Sequence, residues 1–255
     1  MVEVGELLLL PGIPAVLHKN TATAIIADLH LGFEDEMAEV GVYLPRRQLT
    51  KAIALIEELR NLGAKRLVIN GDIKNSFNKL TFQEREEIIK FFGKAKDMYD
   101  DVVLVRGNHD NYVSIITEKM DVRLVPHLKL SEHIFIIHGH RESEEALRHK
   151  IIIIGHEHPS FNIRDEIGSV LKMPCFLRVP LKSRKKEILV LPATGFYQSG
   201  NPISLSSEGY LSPLIRKYGD INMAVPIVID AESRDLIEFP PLGAMEGLVR
   251  IDAGK

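Results

Sequence analysis

Residues 24–32 read Ala24-Ile25-Ile26-Ala27-Asp28-Leu29-His30-Leu31-Gly32. An apolar run of this kind is a buried strand. It ends in an acid with an imidazole two residues further on, and Gly32 then lets the backbone turn. A carboxylate buried at the end of a strand is costly unless a positive group or a hydrogen-bond donor compensates it. At the carboxyl end of a sheet strand that compensating group is often a ligand or a metal. Asp-x-His alone is a weak signal. Its weight comes from four later segments that repeat the design.

Working outward, Leu67-Val68-Ile69 runs into Asn70-Gly71-Asp72, and Val102 to Val105 runs into Arg106-Gly107-Asn108-His109-Asp110. Ile134 to Ile137 ends in His138-Gly139-His140, and Ile151 to Ile154 ends in Gly155-His156-Glu157-His158-Pro159. Helices are expected between the first three runs. Glu34 to Val40 is a short one. Pro45 to Leu62 is better, with Leu49, Ala52, Ile53, Ile56 and Leu59 at helical spacing, Pro45 suited to its start and Gly63 to its end. Thr81-Phe82-Gln83-Glu84 has the form of a capping box, and Ile88, Phe92 and Ala95 carry an apolar stripe on to about Met98. Strand, helix, strand, helix, strand favours a parallel sheet with helical cover.

Ahead of this unit, Leu7 to Leu10 and Ala15 to His18 read as short strands. The second half changes character. Glu142 to His149 suggests a short helix. Segments near 161–164, 169–179 and 186–191 form a strand meander, with Lys182 to Lys186 as an exposed turn between the last two. Residues 193–227, rich in Gly, Ser and Pro, read as an ordered surface excursion with a short helix near Leu214. Residues 228–230 and 236–239 suggest a closing hairpin. No linker or repeat interrupts the 255 residues. One domain over 1–255 is therefore expected, its two halves each giving an apolar sheet face to a layered core.

Composition bounds the function. Net charge is −3, so the molecule as a whole is not a polycationic nucleic-acid wrapper, although a local basic patch remains compatible. The single cysteine, Cys175, excludes an internal disulfide framework and a Cys-rich zinc site; among apolar neighbours it reads as a small core residue. No stretch reaches transmembrane length and no basic region precedes the first apolar run, so neither a membrane partner nor a signal peptide is expected, and the cytoplasm is the expected location. No Walker motif or dinucleotide fingerprint is present.

The polar groups at the strand ends are Asp28, His30, Asp72, Asn75, Asn108, His109, His138, His140, His156 and His158. Separate burial of so many acids and imidazoles without a shared partner is a poor account of them. Convergence on metal ions is a better one. Oxygen and neutral imidazole donors without a thiolate fit Mn, Fe, Zn, Co or Ni. Asp28 and His30 converge only if the strand gives way to a loop, and Pro159 keeps the His156-x-His158 segment out of a helix.

Asp28-x-His30, Gly71-Asp72, Gly107-Asn108-His109-Asp110, His138 and Gly155-His156-x-His158 together resemble the calcineurin-like metallophosphoesterase superfamily in order, spacing and strand context. The likeness covers roughly residues 24–160. Asp28-Leu29-His30-Leu31-Gly32 with Leu44-Pro45-Arg46-Arg47 is further similar to a group of short archaeal and bacterial enzymes, some encoded beside DNA ligase and helicase genes. The resemblance implies an α/β fold, a four-layer α-β-β-α sandwich of two packed mixed sheets with helices outside. It implies two divalent ions, manganese first and Ni, Fe, Co or Zn as compatible alternatives. Asp28, His30 and His158 would hold one ion, Asn108, His138 and His156 the other, and Asp72 both. His109 would approach the phosphate or leaving oxygen, with Asp110 orienting it.

The implied activity is hydrolysis of a phosphate ester by a metal-bridging hydroxide, a phosphodiester ahead of a monoester, with nucleic acid or a nucleotide among the candidate substrates. A DNA-repair nuclease and a non-enzymatic metal-binding interaction scaffold are the alternatives, and the full set of ligand residues speaks against the second. Oligomeric state is left open. Many superfamily members carry an acid or another polar residue three positions after the equivalent of Asp72. Asn75 stands there, as an orienting group or a surface-turn residue. Lys74 either offsets phosphate charge or faces water. His140, Arg141, Arg46 and Arg47 are the candidate substrate contacts, and Phe196 or Tyr197 either stacks on a base or anchors the excursion.

Overall fold

The computed structural model of the chain describes residues 2–164, 170–183 and 185–245. Ser169, at the start of an expected strand, and Arg184, in the expected lysine-rich turn, lie outside the described residues. Seven strands make the first sheet in sequential order: β1 (Val2–Val4), β2 (Leu7–Leu9), β3 (Val16–His18), β4 (Thr23–Ile26), β5 (Arg66–Asn70), β6 (Asp101–Val105) and β7 (Arg123–Val125). β1 to β4 are paired antiparallel, and β4 to β7 parallel.

The second sheet contains β8 (Leu128–Lys129), β9 (Ile134–Ile136), β10 (Ile151–Ile154), β11 (Pro159–Arg164), β12 (Val170–Pro180), β13 (Glu187–Val190) and β14 (Asn201–Pro202). Their order is β14-β11-β12-β13-β10-β9-β8. The closing hairpin, β15 (Val225–Asp230) and β16 (Asp235–Glu238), pairs with it through β12. β10 runs parallel to both β9 and β13.

The sheets pack face to face. Ile25, Val68 and Val103 of the first sheet meet Ile136, Ile153, Leu189 and Ile227 of the second in one apolar layer. Alternate residues of the same strands, Ala24, Ile26, Leu67, Ile69 and Leu104, point outward beneath helices. Both faces of the central strands are thus covered, which is why they read as unbroken apolar runs. α2 (Gln48–Asn61) and α3 (Phe82–Met98) cover the first sheet, with the shorter α1 (Phe33–Glu39) and α4 (Ser114–Lys119) beside them. Over the second sheet the outer layer is thinner. It consists of α5 (Pro213–Tyr218) and single 3-10 turns, with Leu214, Ile215, Ile203 and Tyr210 buried against Phe161, Leu177 and Val190. Residues 193–227 therefore form a layer of the core and not merely a surface excursion.

The helix expected from Pro45 begins at Gln48 instead. The buried Glu34 carboxylate accepts hydrogen bonds from the Arg47 and Gln48 amides, each at 2.9 Å, and so caps the helix from another element. The capping box at Thr81 and Glu84 is present in both directions, at 3.1 and 2.7 Å. The helix expected over Glu142 to His149 shrinks to one 3-10 turn, Ala146–Arg148. β1, α4, β7 and β8 escape a sequence reading because two to six residues are too few to show a period. Among the described residues no helix is long and apolar enough to cross a membrane.

Candidate metal centre

The parallel strands β4, β5 and β6 of one sheet and β9 and β10 of the other release their carboxyl ends at one edge of the sandwich. Asp28, His30 and His158 meet there with donor atoms within 4.8 Å of one another, and so do Asp72, His138 and His156. In the first group His158 Nε2 lies 3.3 Å from His30 Nε2 and 3.4 Å from an Asp28 oxygen. In the second, His138 Nε2 is 3.2 Å from Asp72 Oδ2 and 3.1 Å from Asn108 Oδ1. All seven residues expected as ligands are brought together.

The turns that achieve this are strained. Asp28, His30, Asp72, His156 and His158 all have positive φ, between 47° and 68°. Non-glycine residues in that region cost roughly 1 kcal/mol or more each, and persist where their surroundings over-determine them. The convergence of Asp28 and His30 comes from the left-handed conformation of those two residues themselves; Gly32, also at positive φ, precedes α1. Two turns run side by side: the Asp28, His30 and Leu31 amides donate to the Gly71, Asp72 and Ile73 carbonyls at 2.8 to 3.1 Å. Across the sandwich, the His156 amide donates to the Asp28 carboxylate at 3.1 Å.

Two close approaches exclude a side chain. A Cβ at Gly71 would lie 2.2 Å from His138 Nδ1, and one at Gly107 would lie 2.1 Å from Asp72 Oδ1. Gly107→Ala is therefore expected to displace Asp72 and weaken metal binding at least tenfold, while costing about 1–3 kcal/mol of stability. Titration calorimetry with Mn beside denaturant unfolding checks this; unchanged metal affinity would contradict it.

Charge inside the cluster is divided. Burial opposes ionisation of Asp72 and Asp28, yet neighbouring imidazoles, His138 for Asp72 and His158 for Asp28, hold both carboxyls below their usual range. Burial also disfavours a proton on His138, but the Asp72 carboxylate pushes its pKa up to about 9. Burial lowers His30 to about 3, helped by His158, and lowers His156 to about 4, helped by His138. These two are neutral imidazoles, the form that binds metal. His138 donates from Nδ1 to the Asn70 carbonyl at 2.9 Å, which leaves Nε2 facing the second group.

His109 stands beside the cluster, its ring 5.2 Å from that of His30. Its Nδ1 donates to the Asn75 carbonyl at 2.5 Å, and its amide donates to Asp72 Oδ1 at 2.9 Å. Asn75 thus orients His109 through its backbone, while its side chain turns outward to Glu36. Asp110, expected to orient His109, does not touch that ring. It is buried and accepts from the amides of Asp72, Ile73 and Gly107 at 2.7 to 2.9 Å, locking two metal turns together. Burial, and then the Asp72 charge, raises Asp110 to about 6.

Lys74 neither faces water nor points at a phosphate. It is fully buried, and its ammonium donates to the Ser76 and Lys79 carbonyls. His140 lies beside the second group, its ring 5.4 Å from His138 and 6.1 Å from His156, and its buried Nδ1 has no partner among the described residues. Arg141, Arg46 and Arg47 are exposed. Tyr197 stacks on Phe33 at 5.7 Å and is an anchor, while Phe196 is exposed with the Lys51 ammonium over its ring. The expected lysine-rich turn is only partly solvated, since the Lys186 ammonium donates to the Leu147 carbonyl.

Two supporting residues escape a search for ligands. The Asn70 side chain donates from Nδ2 to the Ile137 carbonyl at 3.2 Å and so joins the sheets behind His138. Glu157 is buried and accepts from the Leu211 amide at 3.0 Å and from the Ser212 amide, which pins residues 211–212 behind the His156–His158 turn. The sequence signal for each is a polar residue inside an otherwise buried segment.

The donor set fits divalent ions: carboxylates already ionised, His30 and His156 already neutral, His138 hydrogen-bonded at its far nitrogen, and no thiol; His158, which Asp28 raises against its burial, would give up its proton to the ion. Metal removal leaves two buried carboxylates and several imidazoles without their shared partner. Mn at about 100 times its dissociation constant is expected to stabilise the fold by about 2.7 kcal/mol per site. That raises Tm by about 5–10 °C per site at 2–4 °C per kcal/mol. Thermal unfolding with chelator and with Mn checks it, and coincident curves would contradict it.

A two-sheet sandwich with a paired carboxylate–imidazole site at the strand ends defines a dinuclear metallohydrolase architecture. Residues 22–189 match the calcineurin-like phosphoesterase family, and the chain belongs to it. A comparison with curated proteins finds no match. Among solved structures, the Pseudomonas putida nuclease MPE is similar over 94% of this chain and 98% of its own, with 19% identity and a TM-score of 0.65. Yfce, a phosphoesterase from E. coli, matches over 86% of this chain and 98% of its own at 17% identity and a TM-score of 0.42.

Proposed function

We propose that the protein is a phosphodiesterase, using one catalytic unit that draws ligands from both sheets. The observation carrying this is the pairing of two donor groups, Asp28–His30–His158 and Asp72–His138–His156, with Asn108 beside the second and His109 at the edge. Two divalent ions, manganese as the first candidate, supply Lewis acidity and activate water when bound there. Asp72 belongs to the second group and would, as the bridging ligand, hold both ions.

The chain's own part is to place and protonate. Asn75 fixes His109 so that Nε2 points away from the loop, and a proton on Nε2 can pass to the leaving oxygen as its bond to phosphorus breaks. Water supplies the oxygen of the new bond to phosphorus. His140, whose ring lies beside the second group, and the exposed Arg141 that follows it would contact the non-bridging phosphate oxygens. Lys74, two residues after Asp72, is turned to carbonyls and adds no charge at the phosphate, which leaves Arg141 as the proposed cation beside the metals and favours a singly charged diester over a monoester dianion.

A nuclease is the second reading, supported by exposed Arg46, Arg47 and Arg141 and by the nuclease that shares the fold. The likeness to enzymes encoded beside DNA ligase genes rests on Asp28 to Gly32 and Leu44 to Arg47 alone. A matched panel with Mn, Ni, Co, Zn and Mg tests the proposal. It compares p-nitrophenyl phosphate, bis(p-nitrophenyl) phosphate, cyclic nucleotides and single- and double-stranded DNA. Diesters hydrolysed at least tenfold faster than the monoester support it; the reverse preference overturns it.

A further inference from the structure

The loop of residues 75–80 carries an exposed aromatic ring on an unusually well-held backbone. Phe77 is 50% exposed, and its ring stands edge-on to His109, with centroids 5.5 Å apart and planes at 89°. An exposed phenylalanine on a mobile loop would mean little. Here the loop is secured from every side. Beneath it Lys74, at 0% exposure, gives its ammonium to the carbonyls of Ser76 and Lys79. Burying a lysine is expensive unless its charge is well solvated by such groups.

From α3, the Glu84 carboxylate accepts the Ser76 amide at 2.5 Å. From α1, Glu36 accepts the Ser76 hydroxyl at 3.2 Å, and Glu39 pairs with the Lys79 ammonium at 2.6 Å. From the turn after His109, the Asn111 amide group donates to the Phe77 carbonyl at 3.0 Å. That same turn holds Tyr112 at a φ of 67° with its side chain largely exposed. The ring of Phe77 is thus kept in water by a buried cation, three acids and an amide, next to the imidazole assigned to the leaving oxygen. A rigid aromatic surface binds a planar partner with little ordering entropy to lose.

We infer that Phe77 is the floor of a subsite that stacks the base of the leaving nucleoside, so that the diester taken by this site joins two nucleotides. The inference rests on the phosphodiesterase proposal, since the leaving group is located through His109. Nucleobases fit such a surface because each presents a π-face, so stacking gives affinity with little sequence preference. Phe77 touches His109 and the base but no reacting atom, and is a specificity-determining residue.

Three dinucleotides test it: one with both bases, and two with a tetrahydrofuran abasic residue at the 5′ or the 3′ position. Product analysis identifies the leaving side. The leaving hydroxyls are alike, so the chemistry is matched. With Mn, the wild-type kcat/KM is expected to fall about tenfold when the base on the leaving side is missing, within the range for one base–aromatic stack. In Phe77→Ala that ratio is expected to approach one, and in Phe77→Trp to persist. A dinucleotide methylphosphonate bearing 2-aminopurine on the leaving side gives a readout without turnover. Its fluorescence is expected to be quenched by the wild type and not by Phe77→Ala. A wild-type ratio near one, or a tenfold ratio surviving in Phe77→Ala, overturns the subsite and leaves the phosphodiesterase proposal standing. Failure to hydrolyse any diester overturns both.

Discussion

Asp72→Asn is expected to empty both metal sites and to lower diester hydrolysis by about 10³-fold, equivalent to ~4 kcal/mol of lost barrier reduction. The substitution keeps the side chain's shape and removes its charge. Without metal the carboxylate favours a proton on His138, and it lies 3.2 Å from the Nε2 that would face the ion. An amide oriented so that its oxygen still accepts the His109 amide would turn its NH₂ toward that nitrogen. His138 would then meet a donor where it met a carboxylate, and neither donor group would keep its negative charge from Asp72. The fold should survive, because the Asp72 backbone remains bonded to Asp110. Metal analysis after desalting, with circular dichroism as the control on folding, checks this. Retention of two tightly bound ions per chain would remove Asp72 from the bridging role.

His109→Ala is expected to behave in the opposite way: turnover falls by about 10²–10⁴-fold, the usual range for a positioned general acid, while metal content stays near wild type. His109 is not in either donor group, and its Nδ1 is committed to the Asn75 carbonyl. Its amide bond to Asp72 Oδ1 comes from the backbone and is kept by alanine. Kinetics and metal analysis on the same preparation separate the roles. Metal loss in proportion to lost activity would show that His109 acts as a ligand and not as an acid.

The sandwich was legible because its central strands are covered on both faces, which leaves runs such as Ile151 to Ile154 without a polar residue. The residues that converge at the sheet edge were legible for a related reason: an acid or imidazole after such a run has no bland explanation when five runs do the same. What the sequence hid lies in contacts between elements. Glu34 moves the start of α2 from Pro45 to Gln48 by capping it from α1. Lys74 looks like a surface or phosphate-facing cation, and only the closed loop of residues 76–79 shows the carbonyls that receive it. Asp110 follows His109 directly and suggested a partner for its ring, but successive side chains diverge, and it bonds to backbone amides of the Asp72 turn. The outer layer made by residues 193–227 has little periodic pattern, since its helix has six residues and its other turns are 3-10.

Anomalous diffraction from a crystal grown with Mn probes the shared two-ion site most directly. Two peaks are expected about 3.5–4 Å apart, one ringed by Asp28, His30 and His158, the other by Asn108, His138 and His156, with an oxygen of Asp72 reaching each. A single peak at full Mn occupancy, or a pair that does not share Asp72, would contradict the account.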